Sequence, residues 1–479
     1  MKDHKLFLGG AWCASSDSTF ADDINPATQA PFARVAQATP EDVDAAVTRA
    51  TAASQSWAET PPSERERILL RAADVIERRA DEIAWRLVEE SGCTYGHGAY
   101  QAAYSADDLR ATAAEARRMG GETIPSDIPG LLSMTVRAPL GVIAGIAPNN
   151  VPLALAMVKV DSALATGNAF VLKPSEETPI AGLIIAEVFE EAGLPAGLLS
   201  VLPGDGRVGK ALVDHPDIRM ICFTGSTATG KAIAEAAARG MKKVSLELGG
   251  KSPLLILADA DIDDAVETAK FGIFSHQGQV CMASSRVIVE APLYDAFGAA
   301  LAEKAAALKV GDPTEPDTII GPLIRAGQCA KIAEMIDDAT AKGARLLTGG
   351  GYRGPYFEPT VIADVTPEMT LFYEEAFGPV VCLSRAGDID EAIALANENH
   401  YGLSSAVLTK NTHNALRVAR RIEAGMVHIN ATTIQCEPTV PFGGIKNSGL
   451  GREGSRYLCE AMTELKWITI QEGKRSYPF

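Results

Sequence analysis

The feature that most constrains the fold is a rhythm that begins after Gly141, where short apolar runs alternate with segments of helical period. The runs at 142–146, 169–172, 199–202 and 220–223 are separated by helical segments that open at Val151 and Pro179, and another helix follows Gly225. A strand reaches a parallel neighbour only through a long crossover, so this alternation predicts a doubly wound parallel sheet. A second series starts near Pro253, with helices at 261–274, 292–308 and 326–342 and strands at 380–383 and 426–429. The expected fold class is therefore α/β, with two doubly wound parallel-sheet domains.

Upstream of the first series the chain is helical. Thr39-Pro40-Glu41-Asp42 reads as an N-cap with proline at the first helical position, opening an alanine-rich helix to about Gln55. One longer helix is expected over 63–90, where Ile68, Ala72, Val75, Ile76, Ile83 and Leu87 recur at helical spacing and Gly92 supplies a stop. At the other end, 463–470 alternates and is rich in β-branched residues, a strand far in sequence from either sheet and expected to pair outside its own domain.

With 479 residues the chain exceeds the size at which single cores stop growing, so two or more domains are expected. The formal net charge of −17 argues against nucleic acid as a partner. No apolar stretch is long enough for a signal-peptide core or a membrane span, and a cytoplasmic protein without membrane contact is expected. The eight cysteines are scattered without close pairs, so neither a metal site nor a disulfide framework is expected.

Four segments carry candidate chemistry. Phe223-Thr224-Gly225-Ser226 ends a strand and opens a helix containing Gly230. Free N–H groups at such a helix start suit a pyrophosphate, although glycines at strand–helix turns are also common for steric reasons. Lys173-Pro174-Ser175-Glu176 sets an ammonium and a carboxylate at the carboxyl end of a parallel strand, either as ribose ligands or as a solvated ion pair. Leu246-Glu247-Leu248-Gly249-Gly250-Lys251 sets Glu247 inside an apolar strand, directly before two glycines; if buried it has a raised pKa suited to a general base, and at an edge it points to water. Gln277-Gly278-Gln279-Val280-Cys281-Met282 interrupts a helical stretch before a cysteine, and a lone cysteine is more often a small buried hydrophobe than a nucleophile.

Taken together and in this order, these segments resemble the aldehyde dehydrogenase superfamily over essentially the whole chain. Further matches are Glu374-Glu375-Ala376-Phe377-Gly378-Pro379 and Pro441-Phe442-Gly443-Gly444-Ile445-Lys446 followed by Ser448-Gly449. One motif departs: where the family usually has Pro-Trp-Asn-Phe-Pro, this chain reads Pro148-Asn149-Asn150-Val151-Pro152, keeping the asparagine and losing both aromatics. The resemblance implies a thiohemiacetal and then a thioester on Cys281, an oxyanion hole made by Asn150 and the Cys281 N–H, and Glu247 as the base that activates water. It implies cofactor contacts from Lys173, Glu176, Gly225, Ser226, Gly230, Leu248, Gly249, Glu375 and Phe377. NAD is expected, with NADP possible, because Glu176 would repel the additional phosphate.

The same resemblance divides the chain into a cofactor domain at 1–118 and 137–249, a catalytic domain at 250–450, and a small β oligomerisation arm at 119–136 and 451–479. It implies a homodimer or homotetramer. The expected substrate tunnel comprises Val151, Leu155, Val158, Val280, Met282 and Phe442, with the 431–440 loop, which has Glu437 and no Lys or Arg, at its mouth. Gln279-Val280-Cys281-Met282 with His428-Ile429-Asn430 is similar to benzaldehyde- and vanillin-type members, so a bulky apolar or aromatic aldehyde is expected, beside a broad-range or semialdehyde alternative. A CoA-acylating enzyme would not need Glu247, a non-catalytic binding protein would not keep Cys281, and a cysteine hydrolase would need a histidine partner, for which His276 lacks an orienting acid.

Overall fold

The computed structural model describes residues 1–479. Its largest sheet has eight strands in the order 449–450, 243–247, 218–224, 142–146, 169–173, 199–201, 6–8 and 11–13. The five strands from 243–247 to 199–201 are parallel, and antiparallel strands close both edges. The chain winds outward from Val142–Ile146 in one direction, then returns to lay Ile218–Thr224 on that strand's other side. The carboxyl ends of these two neighbours form the topological switch point, where an open parallel sheet leaves a crevice for a ligand. Helices cover the sheet, and 70 buried apolar residues form its core.

The second sheet has seven strands in the order 345–348, 360–363, 380–386, 286–290, 253–256, 404–408 and 426–429, of which only the first is antiparallel. Both expected doubly wound sheets are present. The alternating C-terminal segment is the strand Thr463–Gln471, which pairs antiparallel with Leu131–Pro139 from Thr463↔Pro139 to Gln471↔Leu131.

Local signals explain several boundaries. Thr39 caps the Pro40–Glu59 helix in a reciprocal box: Asp42 N donates to Thr39 Oγ1 at 3.3 Å, and Thr39 N donates to Asp42 Oδ2 at 2.9 Å. Gly92 ends the helix before it in the left-handed conformation, φ 67°. The single helix expected over 63–90 is two, Pro62–Arg78 and Ala80–Ser91, separated at Arg79. The apolar period survives that break because both helices bury one face against the same core. The C-terminal segment also divides differently from expectation. Leu458, Cys459 and Met462 belong to the first core, and Gly449–Leu450 pairs with the strand that ends at Glu247. Thus 449–462 packs with the large sheet, and the free-standing ribbon begins at Thr463. The apolar residues of the Ser455–Ala461 helix need a core, which the ribbon lacks.

Candidate active site

Two connected cavities run across the switch point. The larger, about 650 Å³, is lined by Ile146, Pro148, Lys173, Glu176, Phe223 and Gly225 among others. The smaller, about 280 Å³, is lined by Asn150, Leu155, Glu247, Leu248, Gly249, Cys281, Glu375 and Phe377. Pro148, Asn149, Thr224, Gly225, Ser226 and Arg325 border both, making one elongated cleft. Its size and mixed lining suit a dinucleotide whose far end reaches the cysteine.

At the outer end, Lys173 Nζ lies 3.5 Å from Glu176 Oε1, the lysine buried and the glutamate half exposed. Burial holds the Lys173 ammonium below its usual pKa, partly offset by Glu176. Ser226 caps the Thr227–Arg239 helix, accepting from Thr229 N at 3.3 Å, so the helix start faces the cleft with its first-turn N–H groups. Gly230, expected among the cofactor contacts, does not line the cleft. It is buried where any Cβ would collide with the Leu248 side chain, so its absent side chain lets helix and strand close together.

At the inner end, Glu375 Oε1 is buried without a hydrogen-bond partner, and burial pushes the carboxyl up to about 7. An orphaned acceptor facing the cleft fits the hydroxyls of a sugar. No group of three or more His, Cys, Asp or Glu residues could hold a metal ion.

Cys281 follows a turn in which His276, Gln277 and Gly278 are all left-handed, with φ of 49°, 56° and 70°. Asn150 is buried and its Nδ2 donates to the Gln279 carbonyl at 2.8 Å, leaving one amide hydrogen for a ligand. A Cβ on Gly250 would collide with the Cys281 carbonyl, so the glycine pair after Glu247 lets the two loops touch. Glu247 is buried, both its oxygens lack hydrogen-bond partners, and Oε1 lies against Gly443, 2.6 Å from where a Cβ would stand. Burial first, then the Glu453 charge, raises its carboxyl well above the ordinary range, while Lys159 and Arg452 oppose them. Burial, with Glu375 and Glu247 nearby, also keeps the Cys281 thiol protonated, opposed by the Met282 N–H.

Leu155 alone of the expected tunnel residues lines the smaller cavity. Val280, Met282 and Phe442 form a compact apolar cluster with Ala283, Leu403 and Met426 behind Cys281. Val151 is half buried and caps the Pro152–Ala165 helix, and Val158 is buried in the core of the large sheet. Sequence reasoning missed three features here. Lys159 and Glu453 form a fully buried ion pair at 2.6 Å behind Glu247; the signal was a lysine set between the apolar Val158 and Val160 of the Pro152–Ala165 helix. Cys436 and Ile434 flank the cluster beside Cys281, from a loop read only for its charges. Tyr104 places its hydroxyl 3.1 Å from Cys436 Sγ.

Comparison with known proteins agrees with this geometry. Residues 12–468 match the sequence model of the aldehyde dehydrogenase family. The chain is 44% identical over 479 residues to a vanillin dehydrogenase of Pseudomonas sp. (strain HR199), covering 99% of each. It is 43% identical over 441 residues to an NAD(+) benzaldehyde dehydrogenase of Pseudomonas putida, covering 92% of this chain and 91% of the other. Among solved structures, a salicylaldehyde dehydrogenase from Pseudomonas putida G7 complexed with salicylaldehyde superposes with a TM-score of 0.98 at 40% identity, covering 100% of both chains. With Cys281, Glu247 and Asn150 gathered on one dinucleotide-sized cleft, the chain belongs to the aldehyde dehydrogenase family and is an oxidoreductase.

Proposed function

We propose that this enzyme oxidises an aromatic aldehyde to its carboxylate, with NAD as the preferred oxidant, through a thioester on Cys281. The observation that carries the proposal is the convergence of Cys281, Glu247 and Asn150 on one cavity continuous with the Lys173–Glu176 cleft.

Cys281 as thiolate adds to the carbonyl carbon, and the charge that develops on oxygen is met by the free Asn150 amide hydrogen and the Cys281 N–H. Each such donor is worth about 3–4 kcal/mol in the transition state. When bound, NAD supplies the hydride acceptor, and its positive ring favours the thiolate. Lys173 and Glu176 would hold one sugar and Glu375 the other, Gly225 and Ser226 would face the phosphates, and Leu248, Gly249 and Phe377 on the inner cleft would wall the ring. Glu247 then takes a proton from water as the oxygen attacks the thioester carbon, and the Cys281 sulfur leaves. Its unpartnered oxygens are free for that water.

Leu155 on the cavity wall, with the partly buried Ile434 and Cys436 beside Cys281, favours a ring over a charged chain. The relatives' aromatic substrates support the same choice. Relative kcat/KM for benzaldehyde, a medium-chain alkanal and succinic semialdehyde tests it; a preference for the semialdehyde overturns it.

For organisation we propose a cofactor domain at 1–118 and 137–249 joined by 449–462, a catalytic domain over most of 250–450, and an arm at 119–136 and 463–479. Leu465 and Trp467 share one face of the arm strand and are each more than half exposed, an apolar pair that suits a second copy in a homodimer or homotetramer. Trp467→Asp should then reduce the mass seen in light scattering, and an unchanged mass removes the arm from assembly. No helix is long and apolar enough to cross a membrane, and eight free cysteines suit a reducing cytoplasm.

A further inference from the structure

The turn that carries Cys281 has a backbone an isolated chain avoids. Left-handed conformation at His276 and Gln277 costs about 1–2 kcal/mol for each residue, so contacts outside the turn must hold it. Three do, two of them from the stretch where Ala80–Ser91 gives way to the next helix, Tyr95–Ala116. Gln277 Nε2 donates to the Gly92 carbonyl at 3.0 Å, and also to that of Pro322 at 3.1 Å. The His276 ring lies flat on the His97 ring, with centroids 3.9 Å apart and planes 6° from parallel.

The catalytic consequence follows from what the turn holds. Gln279 N donates to the His276 carbonyl at 2.9 Å, and the Gln279 carbonyl accepts from Asn150 Nδ2 at 2.8 Å. The His97 ring therefore reaches the oxyanion amide through three short links, the stack and two hydrogen bonds. One turn further along its helix, Gln101 Oε1 accepts from Leu153 N at 3.3 Å and pins the helix that follows Asn150. One helix thus fixes both sides of the oxyanion hole.

Ring packing is the main contact within the pair: His97 Nε2 and both His276 nitrogens are enclosed without a well-formed hydrogen bond, and the Asn150 backbone lies beside the His276 ring. Such nitrogens are expensive, and a plain aromatic ring would fill the space at less cost. Two flat neutral rings stack well at this spacing and two cations do not. Burial pushes His97 down to about 4 and holds His276 well below the ordinary imidazole range, where the His97 charge adds to the lowering and the Asn150 backbone opposes it.

We propose that His97 is a positioning residue for the reaction: its stack on His276 sets the left-handed turn so that Asn150 and the Cys281 N–H address the same oxygen. The proposal rests on the Cys281–Asn150 reading of the site, which wild-type turnover of benzaldehyde tests separately.

The test compares His97→Ala with His97→Phe, which keeps a flat ring and removes the titratable nitrogen. His97→Ala should lose about 10–100-fold in kcat, the scale of a 1 Å misplacement. Its KM for benzaldehyde and its NAD affinity should stay near wild type. His97→Phe should recover most of kcat. A second readout is acid inactivation. The rings' pKa values are lowered in the folded state, so falling pH favours any form in which they are released and protonated. Wild type should therefore inactivate at a higher pH than His97→Phe. Full kcat in His97→Ala, no recovery in His97→Phe, or the same inactivation midpoint in wild type and His97→Phe would each overturn the proposal. If His97→Ala does not fold, His97→Leu, which fills the space without a flat ring, takes its place and should show the same loss of kcat.

Discussion

Lys159→Met offers the sharpest probe of the base, because it alters a charge that Glu247 feels without touching the reacting atoms. Lys159 Nζ and Glu453 Oε1 are 2.6 Å apart and both side chains are essentially inaccessible to solvent. At an effective dielectric of 20 that separation corresponds to about 6 kcal/mol of attraction. Desolvation of both ions offsets much of it, yet removing one partner strands the other, a loss of about 3–5 kcal/mol. Lys159→Met should therefore shift the urea midpoint strongly, whereas Lys159→Met with Glu453→Leu should recover much of the loss, because neither charge is then left unpaired.

The same substitution has a kinetic sign. Lys159 lowers the Glu247 carboxyl's proton affinity and Glu453 raises it. A general base must be ionised, so deacylation fails as pH falls through the Glu247 pKa. Removing Lys159 raises that pKa and moves the acidic limb of kcat to higher pH, whereas Glu453→Gln moves it lower. A unit charge several ångströms away in this environment is worth about 2 kcal/mol, a little over one pH unit. The assay is steady-state NADH formation across pH with saturating aldehyde. Acidic limbs that stay in place, or move in the same direction in both variants, would refute the reasoning.

Three further outcomes are expected. Cys281→Ser should abolish oxidation with NAD binding retained, since a hydroxyl without an adjacent base is a far poorer nucleophile; near-normal turnover would contradict the thioester route. Glu247→Gln should preserve a pre-steady-state burst of NADH while slowing turnover, because hydride transfer precedes the step that needs the base, and equal loss of both would remove the role. Glu176→Gln should raise kcat/KM with NADP relative to NAD, since the half-exposed carboxylate stands where the additional phosphate would approach; an unchanged ratio would dismiss it as the discriminator.

What the sequence made legible follows from which interactions are local. The alternation of strand and helix, the Thr39 cap and the Gly92 stop are written in adjacent residues, and each appears in the structure as the chain predicts. The motifs around Glu247 and Cys281 were legible because each is a contiguous string, and the collision a side chain on Gly250 would meet explains why their order in sequence becomes contact in space. Features built from residues far apart were not legible. Lys159 meets Glu453, His97 meets His276, and Tyr104 meets Cys436 only after two helices and a C-terminal loop have packed. Composition around each partner gave little warning, except that a lysine in an apolar helix demands a buried counter-charge. Gly230 shows the opposite failure: a glycine at a phosphate turn was read as a ligand contact, when the close approach it permits is to Leu248. The resemblance puts Val158 in the tunnel with Val151 and Leu155, which share its helix face, yet seven residues beyond Val151 that face is covered by the core. Spacing fixes which residues share a face, and tertiary packing decides how far along the helix that face stays open.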